Sequence, residues 1–191
     1  MSKIPPIYRC RIAPKSNCVF TTKKFQNSTP IQIPEEGTAT PYPSNICVSG
    51  FTDKIVKVVI SINNLSHTFV GDLVILLVAP SGRNATIMAG AGFGKADDIT
   101  LTFDDMGSSI IPLFLPLATG TFQPANYLGE LVPLPPPAPT NQSFGSMLST
   151  FNFSNPNGIW SLFVFDAFPD DSGNIAGGWD LTITTSNCTP R

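Results

Sequence analysis

Apolar and polar side chains alternate with a period of two in several short segments of the chain. Four segments show the alternation clearly: 56–62, 99–103, 159–166 and 178–185. Because successive side chains of a strand point to opposite faces, this period indicates strands with one buried face. Four residues of the first segment are expected to point inward: Val56, Val58, Ile60 and Ile62. Leu73–Val78 is apolar at every position, which is typical of a central strand covered on both faces.

Turn-forming residues separate the predicted strands. Shorter strands are predicted at 31–33, 45–48 and 84–88, bounded by Pro, Gly, Asn or Asp, which punctuate the backbone. Residues 107–145 are rich in proline and lack alternation, so they are predicted to form an extended excursion on the surface. Together, about eight or nine short strands indicate an all-β fold, a β-sandwich of the jelly-roll type.

The chain divides into an arm and a body. Residues 1–30 show no apolar periodicity and are predicted to be an irregular basic arm, whereas residues 31–191 are predicted to form one sandwich domain. With 191 residues, of which 42% are hydrophobic and 13% charged, the chain is long and apolar enough to fold around one core. Residues 1–10 lack the apolar stretch of a signal peptide. The longest apolar run, 73–79, is too short for a transmembrane segment.

Charge is unevenly distributed along the chain. The net charge is −2, but residues 1–24 contain six basic residues and no acidic one: Lys3, Arg9, Arg11, Lys15, Lys23 and Lys24. The body is therefore acidic, which argues against nucleic-acid binding because phosphates require a basic patch. The arm is expected to be solvated. The alternatives are docking on an anionic lipid, on a partner or on the acidic face of the same domain.

Four cysteines allow three disulfide pairings: Cys10, Cys18, Cys47 and Cys188. None has the spacing of a zinc or redox motif. Pairing of Cys10 with Cys18, and of Cys47 with Cys188, is favoured, because the second bond would join an early strand to the end of the last one. Reduced thiols are the alternative. Disulfides indicate an oxidising compartment, so a secreted or cell-surface protein is predicted.

Two groups of motifs resemble those of a known family. The first is residues 65–73, of sequence LSHTFVGDL, followed by a strand that ends in Pro80, Ser81 and Gly82. The second group has two patterns, formed by Gly158, Trp160, Leu162, Val164 and Asp166, and by Gly173, Trp179, Leu181 and Ile183. In order and spacing these motifs resemble the P domain of proprotein convertases and of related bacterial secreted proteins. The similarity spans roughly residues 31–187.

The resemblance implies a jelly-roll β-sandwich, of the galactose-binding-like kind, that sits beside a catalytic domain. In that family the catalytic domain is a subtilisin-like protease, which the P domain helps to fold, to remain stable or to find a target. The proline-rich excursion is longer than in the convertases and is similar to that of the bacterial secreted proteins.

His67 is the only histidine and is thus the only imidazole available as a general base. A Ser-His-Asp arrangement would recruit Ser66 or Ser81 with Asp72, but the chain lacks a Gly-x-Ser-x-Gly elbow, and Ser66 and His67 point to opposite faces of a strand. The favoured interpretation is that His67 and Thr68 bond backbone groups in the turn before a buried strand. A non-catalytic protein is therefore predicted, and a hydrolase is the least favoured alternative.

Aspartates cluster at the ends of the predicted strands. Hard oxygen ligands on such turns suit Ca²⁺, and six residues are candidate ligands: Asp72, Asp104, Asp105, Asp166, Asp170 and Asp171. The spacing is not that of an EF-hand, and ordinary aspartate-stabilised turns are the alternative. Asp72 and Asp166 adjoin buried strands, so each is expected to need a cation, a basic partner or backbone donors.

The aromatic residues have two predicted roles. Trp160 and Trp179 are in phase with inward-pointing residues, so they are predicted to fill the core and not to form a sugar-stacking platform. Phe114, Phe122 and Tyr127 lie in the excursion, where exposed aromatic side chains would mark a partner surface.

Two functional hypotheses follow from these observations. The first is a calcium-stabilised accessory or binding module of a secreted or cell-surface protein, whose partner is a protease or another protein. The alternative is a lectin-like module that binds a glycan or a cell-wall polymer through the same loops.

Overall fold

The computed structural model describes residues 16–129, 132–142 and 145–190. The strands assigned within these ranges are β1 (Ser16–Asn27), β2 (Ile31–Ile33), β3 (Gly37–Thr38), β4 (Ser44–Val48), β5 (Lys54–His67), β6 (Leu73–Val78), β7 (Asn84–Ala89), β8 (Ala96–Phe103), β9 (Gly120–Phe122), β10 (Ala125–Asn126), β11 (Gly158–Asp166), β12 (Gly173–Ile175) and β13 (Trp179–Pro190). Two 3-10 helices span Val70–Asp72 and Leu148–Phe151. The prediction of an all-β sandwich is confirmed.

The strands form two sheets. Sheet A has the order β1-β13-β5-β12-β2, with β8 on β5 and β9 on β8. Sheet B has the order β10-β7-β6-β11-β3, and β4 also pairs with β11. The long strand β5 pairs with β13 up to Ile62 and with β12 from Leu65 to His67. Its carboxyl end therefore reaches one end of the sandwich, where β11 ends opposite the first residue of β6.

The core lies between the two sheets. Trp160 of β11 and Trp179 of β13 are both 0% exposed, which confirms their predicted role. Their indole nitrogens are also paired, since Trp160 Nε1 donates to the carbonyl of Pro156 and Trp179 Nε1 to Ser44 Oγ. Buried aromatic rings supply much of the apolar area of a core, provided that their polar atoms find partners.

The proline-rich excursion covers the outer face of sheet B. Leu134 and Ala138 are buried there against Val74, Leu76 and Phe163. This second cluster explains why β6 is apolar at every position, because its odd and even residues face two different apolar layers. The excursion is thus partly a cover for the sheet, and not only the surface segment that was predicted.

A β-bulge changes the predicted phase of β5. The pairing with β13 shifts between Thr184 and Thr185, so that Ile55 is buried while Val56 is only half-buried. The prediction that Val56 points inward was wrong for this reason, because one extra residue in a strand reverses the faces beyond it. From Val58 to Ile62 the predicted phase is confirmed.

The predicted irregular arm is in part a strand. Residues 1–15 lie outside the described residues, but Ser16–Asn27 pairs with β13 along its whole length. Most of its side chains are exposed, and only Phe25 packs against the core, so the strand has no apolar alternation that a pattern could detect. Lys24 forms an ion pair of 2.6 Å with Asp180, and Lys23 bonds the carbonyl of Gly50. These two bases therefore dock on the same domain.

The disulfide joins Cys18 to Cys188. The two residues lie directly opposite each other in β1 and β13. Both predicted pairings were therefore wrong: Cys10 lies outside the described residues, and Cys47 is an exposed free thiol on β4 of sheet B. The error arose because residues 1–30 were predicted to be irregular. Pairing Cys18 with Cys188 requires the knowledge that the segment around Cys18 is a strand beside the last strand.

Candidate functional site at the acidic end

Acidic side chains from four segments meet at the end of the sandwich where β5 and β11 end. Asp72 lies in the 3-10 helix before β6, Asp166 is the last residue of β11, and Asp171 precedes β12. Glu36 lies just before β3, whose Gly37 pairs with Asp166. His67, at the end of β5, is the basic side chain among them.

His67 is completely buried between these loops. Its Nδ1 lies 2.9 Å from the carbonyl oxygen and 3.2 Å from the amide nitrogen of Phe69. Thr68 and Ser172 exchange backbone and hydroxyl hydrogen bonds across the same turn. The prediction that His67 and Thr68 organise this turn through backbone contacts is confirmed.

His67 also contacts Asp166, a pairing that the sequence analysis did not identify. Nε2 of His67 and Oδ2 of Asp166 are 3.0 Å apart, and both side chains are 0% exposed. Although the two atoms are close, neither makes a hydrogen bond among the described residues, so the contact is one of charge and proximity. The only sequence signal was the combination of one histidine with an aspartate at the end of a buried strand. Asp166 thus has a basic partner, and it also accepts a hydrogen bond from the amide of Phe168.

The two ring nitrogens are coupled through the tautomer of His67. If Nδ1 accepts the Phe69 N–H, the neutral ring carries its hydrogen on Nε2 and presents it to the carboxylate of Asp166. This N–H would then lie beside the carboxylate, and its attraction to the charge lowers the cost of burying the two groups, although no hydrogen bond joins them.

Burial raises the pKa of both acids. The pKa of Asp72 rises to about 6, first through burial and then through the charges of Asp166 and Asp171. The pKa of Asp166 also rises to about 6 through burial, although the Phe168 amide lowers it. Burial lowers the pKa of His67, against the raising effects of the Phe69 backbone and of the neighbouring carboxylates. At neutral pH the end of the domain therefore holds repelling carboxylates beside a neutral imidazole.

The six candidate calcium ligands occupy two separate places. Asp72, Asp166 and Asp171 are neighbours at the acidic end, next to the exposed Asp170. Asp104 and Asp105 follow β8 towards the opposite end, where each has another partner. Asp104 forms an ion pair of 2.7 Å with Lys57.

Asp105 accepts the backbone N–H groups of Leu148 and Ser149, so it caps the second 3-10 helix. Within the residues that the structure describes, no group of three or more His, Cys, Asp or Glu side chains is arranged to hold a metal ion. Calcium binding therefore stays a prediction. It is supported by the carboxylate oxygens at the acidic end, whose mutual repulsion a cation would relieve.

The alternative Ser-His-Asp arrangement is not formed. Ser66 Oγ accepts the backbone N–H of Asp98, on the side of the strand away from His67. Ser81 lies in the turn after β6, at the other end of that strand from Asp72. The partner that faces His67 is Asp166, and the pair is closed to solvent.

The exposed aromatic residues differ in part from those predicted. Phe114 is 75% exposed and Tyr127 is 39% exposed, while Phe122 is half-buried and packs against the core. Phe122 was thus wrongly predicted to be exposed, because it lies on β9, which extends sheet A. Phe93, 54% exposed, was not singled out.

The fold and the site together define a β-sandwich module with a buried imidazole at an acidic end. Over 159 residues the chain is 34% identical to the transglutaminase-activating metalloprotease of Streptomyces mobaraensis. The match covers 83% of this chain and 15% of that protein. The chain is therefore homologous to a segment of that metalloprotease and spans 15% of its length. No family model matches the chain.

Two solved structures show a loose similarity of fold. The serine protease of Aeromonas sobria superposes with a TM-score of 0.42 at 14% identity, over 92% of this chain and 28% of that one. The complex of the Aeromonas sobria serine protease with its chaperone ORF2 gives a TM-score of 0.39 at 13% identity, with the same coverage. Across the described ranges, no helix is both long enough and apolar enough to cross a membrane.

Proposed function

We propose that this chain is a non-catalytic accessory module, similar to a P domain, that stabilises or targets the catalytic domain of a secreted protease. The observation that carries the proposal is the 34% identity with a segment of the metalloprotease. An extracellular location is supported by the Cys18–Cys188 disulfide, because such bonds persist in oxidising compartments.

The buried His67 supports a role without catalysis. A general base must reach the proton of a substrate or of a water molecule. The side chain of His67 is fully buried, with Nδ1 at the backbone of Phe69 and Nε2 3.0 Å from the Asp166 carboxylate. The imidazole therefore acts as a structural link between the end of β5 and the end of β11.

Calcium is retained as a stabiliser in this proposal. Asp72 and Asp171 would be the side chains nearest the ion, because they repel each other through like charge. Asp166 is fully buried against His67 and the Phe168 amide, so backbone or water oxygens would complete the ligand set. A ligand that binds only the folded state raises stability by mass action. The melting temperature should be higher in millimolar calcium than in chelator, and Asp72→Asn should reduce that difference. Equal melting temperatures would remove calcium from the proposal.

A chimera tests the accessory role. The segment homologous to this chain is deleted from the Streptomyces mobaraensis metalloprotease, and in a third protein it is replaced by this chain. We expect the deletion to lower the secreted yield or the half-life of the protease at elevated temperature, and the chimera to restore it. The isolated chain should not cleave casein.

Two outcomes contradict the proposal. One is casein hydrolysis by the isolated chain that is lost in His67→Gln while the dichroism spectrum is unchanged. The other is a chimera that is no more stable than the deletion, although this chain is folded within it.

A further inference from the structure

Four apolar residues lie beside the acidic end, three of them exposed and one, Phe69, half-buried. Phe69 and Phe93 pack edge to face, with ring centroids 5.4 Å apart. Phe93 is 54% exposed, and Leu115 and Phe114 are 63% and 75% exposed. The backbone N–H of Phe93 donates to the carbonyl of Leu115 at 3.0 Å, which brings the loop after β7 next to the excursion. We call these four residues the aromatic surface.

The loop that carries Phe93 has a fixed conformation. It contains three glycines with positive φ, and a Cβ on Gly92 (φ 87°) would lie 2.7 Å from side-chain atoms of Leu117 and Val70. Only glycine fits such a position without strain. Further hydrogen bonds join Gly92 N–H to the Pro112 carbonyl at 2.7 Å and Val70 N–H to the Gly94 carbonyl at 3.0 Å.

A rigid loop that exposes an aromatic ring is suited to binding. Aromatic residues dominate the energetics of protein interfaces. Binding costs less when the contact residues are ordered beforehand. Phe93 is about half exposed, although hydrogen bonds fix the backbone of its loop. Burial of the exposed part of its ring by a partner would therefore favour binding.

The charge around the aromatic surface indicates what the partner carries. The exposed acidic residues of this end are Glu35, Glu36, Asp97, Asp98 and Asp170, and Asp171 is half-buried. Asp72 and Asp166 are buried and are not part of this charge. Among the described residues of this end, Lys95 is the one lysine, and it is paired with Asp97 at 2.9 Å. The other bases of the described body, Lys54, Lys57 and Arg83, lie towards the opposite end. Complementary charge therefore has to come from the partner.

We propose that the aromatic surface is the docking site for a protein segment that presents apolar side chains flanked by lysine or arginine. The inference rests on the proposed function only in taking this segment to belong to the protease. Two other occupants are disfavoured: a second copy that meets this one through the same end, and an anionic membrane. Each would bring negative charges next to the acidic residues, and juxtaposed like charges cost several kcal/mol.

A peptide selection tests the docking site without any protease. A phage library of random 12-residue peptides is panned on the immobilised, disulfide-bonded chain, and the affinities of selected peptides are measured. We expect apolar residues flanked by lysine or arginine, binding that weakens with salt, and a loss of about tenfold or more in Phe93→Ser. Leu115→Ser is the second variant, and Phe20→Ser, at an equally exposed residue of β1 (64%), is the matched control that should bind normally.

The inference is overturned if the selected peptides bind Phe93→Ser and Leu115→Ser as tightly as the unaltered chain, or if acidic peptides are selected. Binding to phosphatidylserine vesicles that disappears in Phe93→Ser would also overturn it, in favour of a membrane. Phe93→Ser in the metalloprotease chimera separates the two proposals. If the chimera is stabilised equally with and without Phe93, the docking site is wrong and the proposed function stands.

Discussion

Removal of the Asp166 carboxylate should destabilise the domain. Its Oδ2 is the polar neighbour of His67 Nε2 at 3.0 Å, and both side chains are 0% exposed. The hydrogen bond that Asp166 accepts from the amide of Phe168 is one to a charged group, which contributes about 1.5–3 kcal/mol. The attraction to His67 Nε2 would be lost as well. The loss is partly offset because the mutation also removes a buried charge, whose pKa is raised to about 6. Asp166→Ala should therefore lower the free energy of unfolding at pH 7 by about 1–3 kcal/mol, with a further cavity cost if the loops do not collapse.

A double-mutant cycle isolates the contact from these other effects. His67→Asn keeps a polar atom near the position of Nδ1, next to the Phe69 backbone, but cannot reach Asp166. We expect a coupling energy of about 1–3 kcal/mol between His67→Asn and Asp166→Ala. Urea unfolding followed by the fluorescence of Trp160 and Trp179 measures it, because both indoles are fully buried and should respond to global unfolding.

The outcome that refutes the reasoning is additivity. If the double variant loses the sum of the two single losses, within about 0.5 kcal/mol, the 3.0 Å contact contributes nothing to stability. A single-variant loss near zero for Asp166→Ala would refute the burial argument as well.

Two further predictions concern the disulfide and the titration of the acidic end. Replacing Cys18 and Cys188 by serine should lower the free energy of unfolding by about 2–5 kcal/mol, because the bond closes a loop with a sequence separation of 170; Cys47→Ser is the control that should leave urea unfolding unchanged. The pKa of Asp72 is raised from 3.8 to about 6. Between about pH 4 and 6 the folded state therefore keeps a proton on Asp72 that the unfolded state has released. The stability that this proton contributes is lost as pH rises through 6. Asp72→Asn should thus be more stable than the unaltered chain at pH 7, by about 1–3 kcal/mol, and similar to it at pH 4. In chelator, equal stability at pH 7 contradicts the shift. The comparison at pH 7 decides the test, because the Asp72 charge also raises the pKa of His67, whereas at pH 7 the imidazole is neutral in both proteins.

The apolar alternation was sufficient to predict the central strands. Residues 58–62 and 99–103 have the predicted faces buried, and Trp160 fills the core as expected. These predictions succeeded because a strand with one buried face records its orientation in its own side chains. The aspartates at strand ends were also visible in sequence, although their grouping was not.

Only the tertiary structure decided which distant segments are neighbours. β1 pairs with β13 and packs only Phe25 against the core, so its side chains carry no apolar alternation, and the Cys18–Cys188 bond was missed with it. His67 and Asp166 meet because β5 and β11, in different sheets, end at the same place. Local sequence determines which face of a strand is buried, whereas pairing and packing partners depend on the register of chains far apart in sequence, which no local pattern encodes.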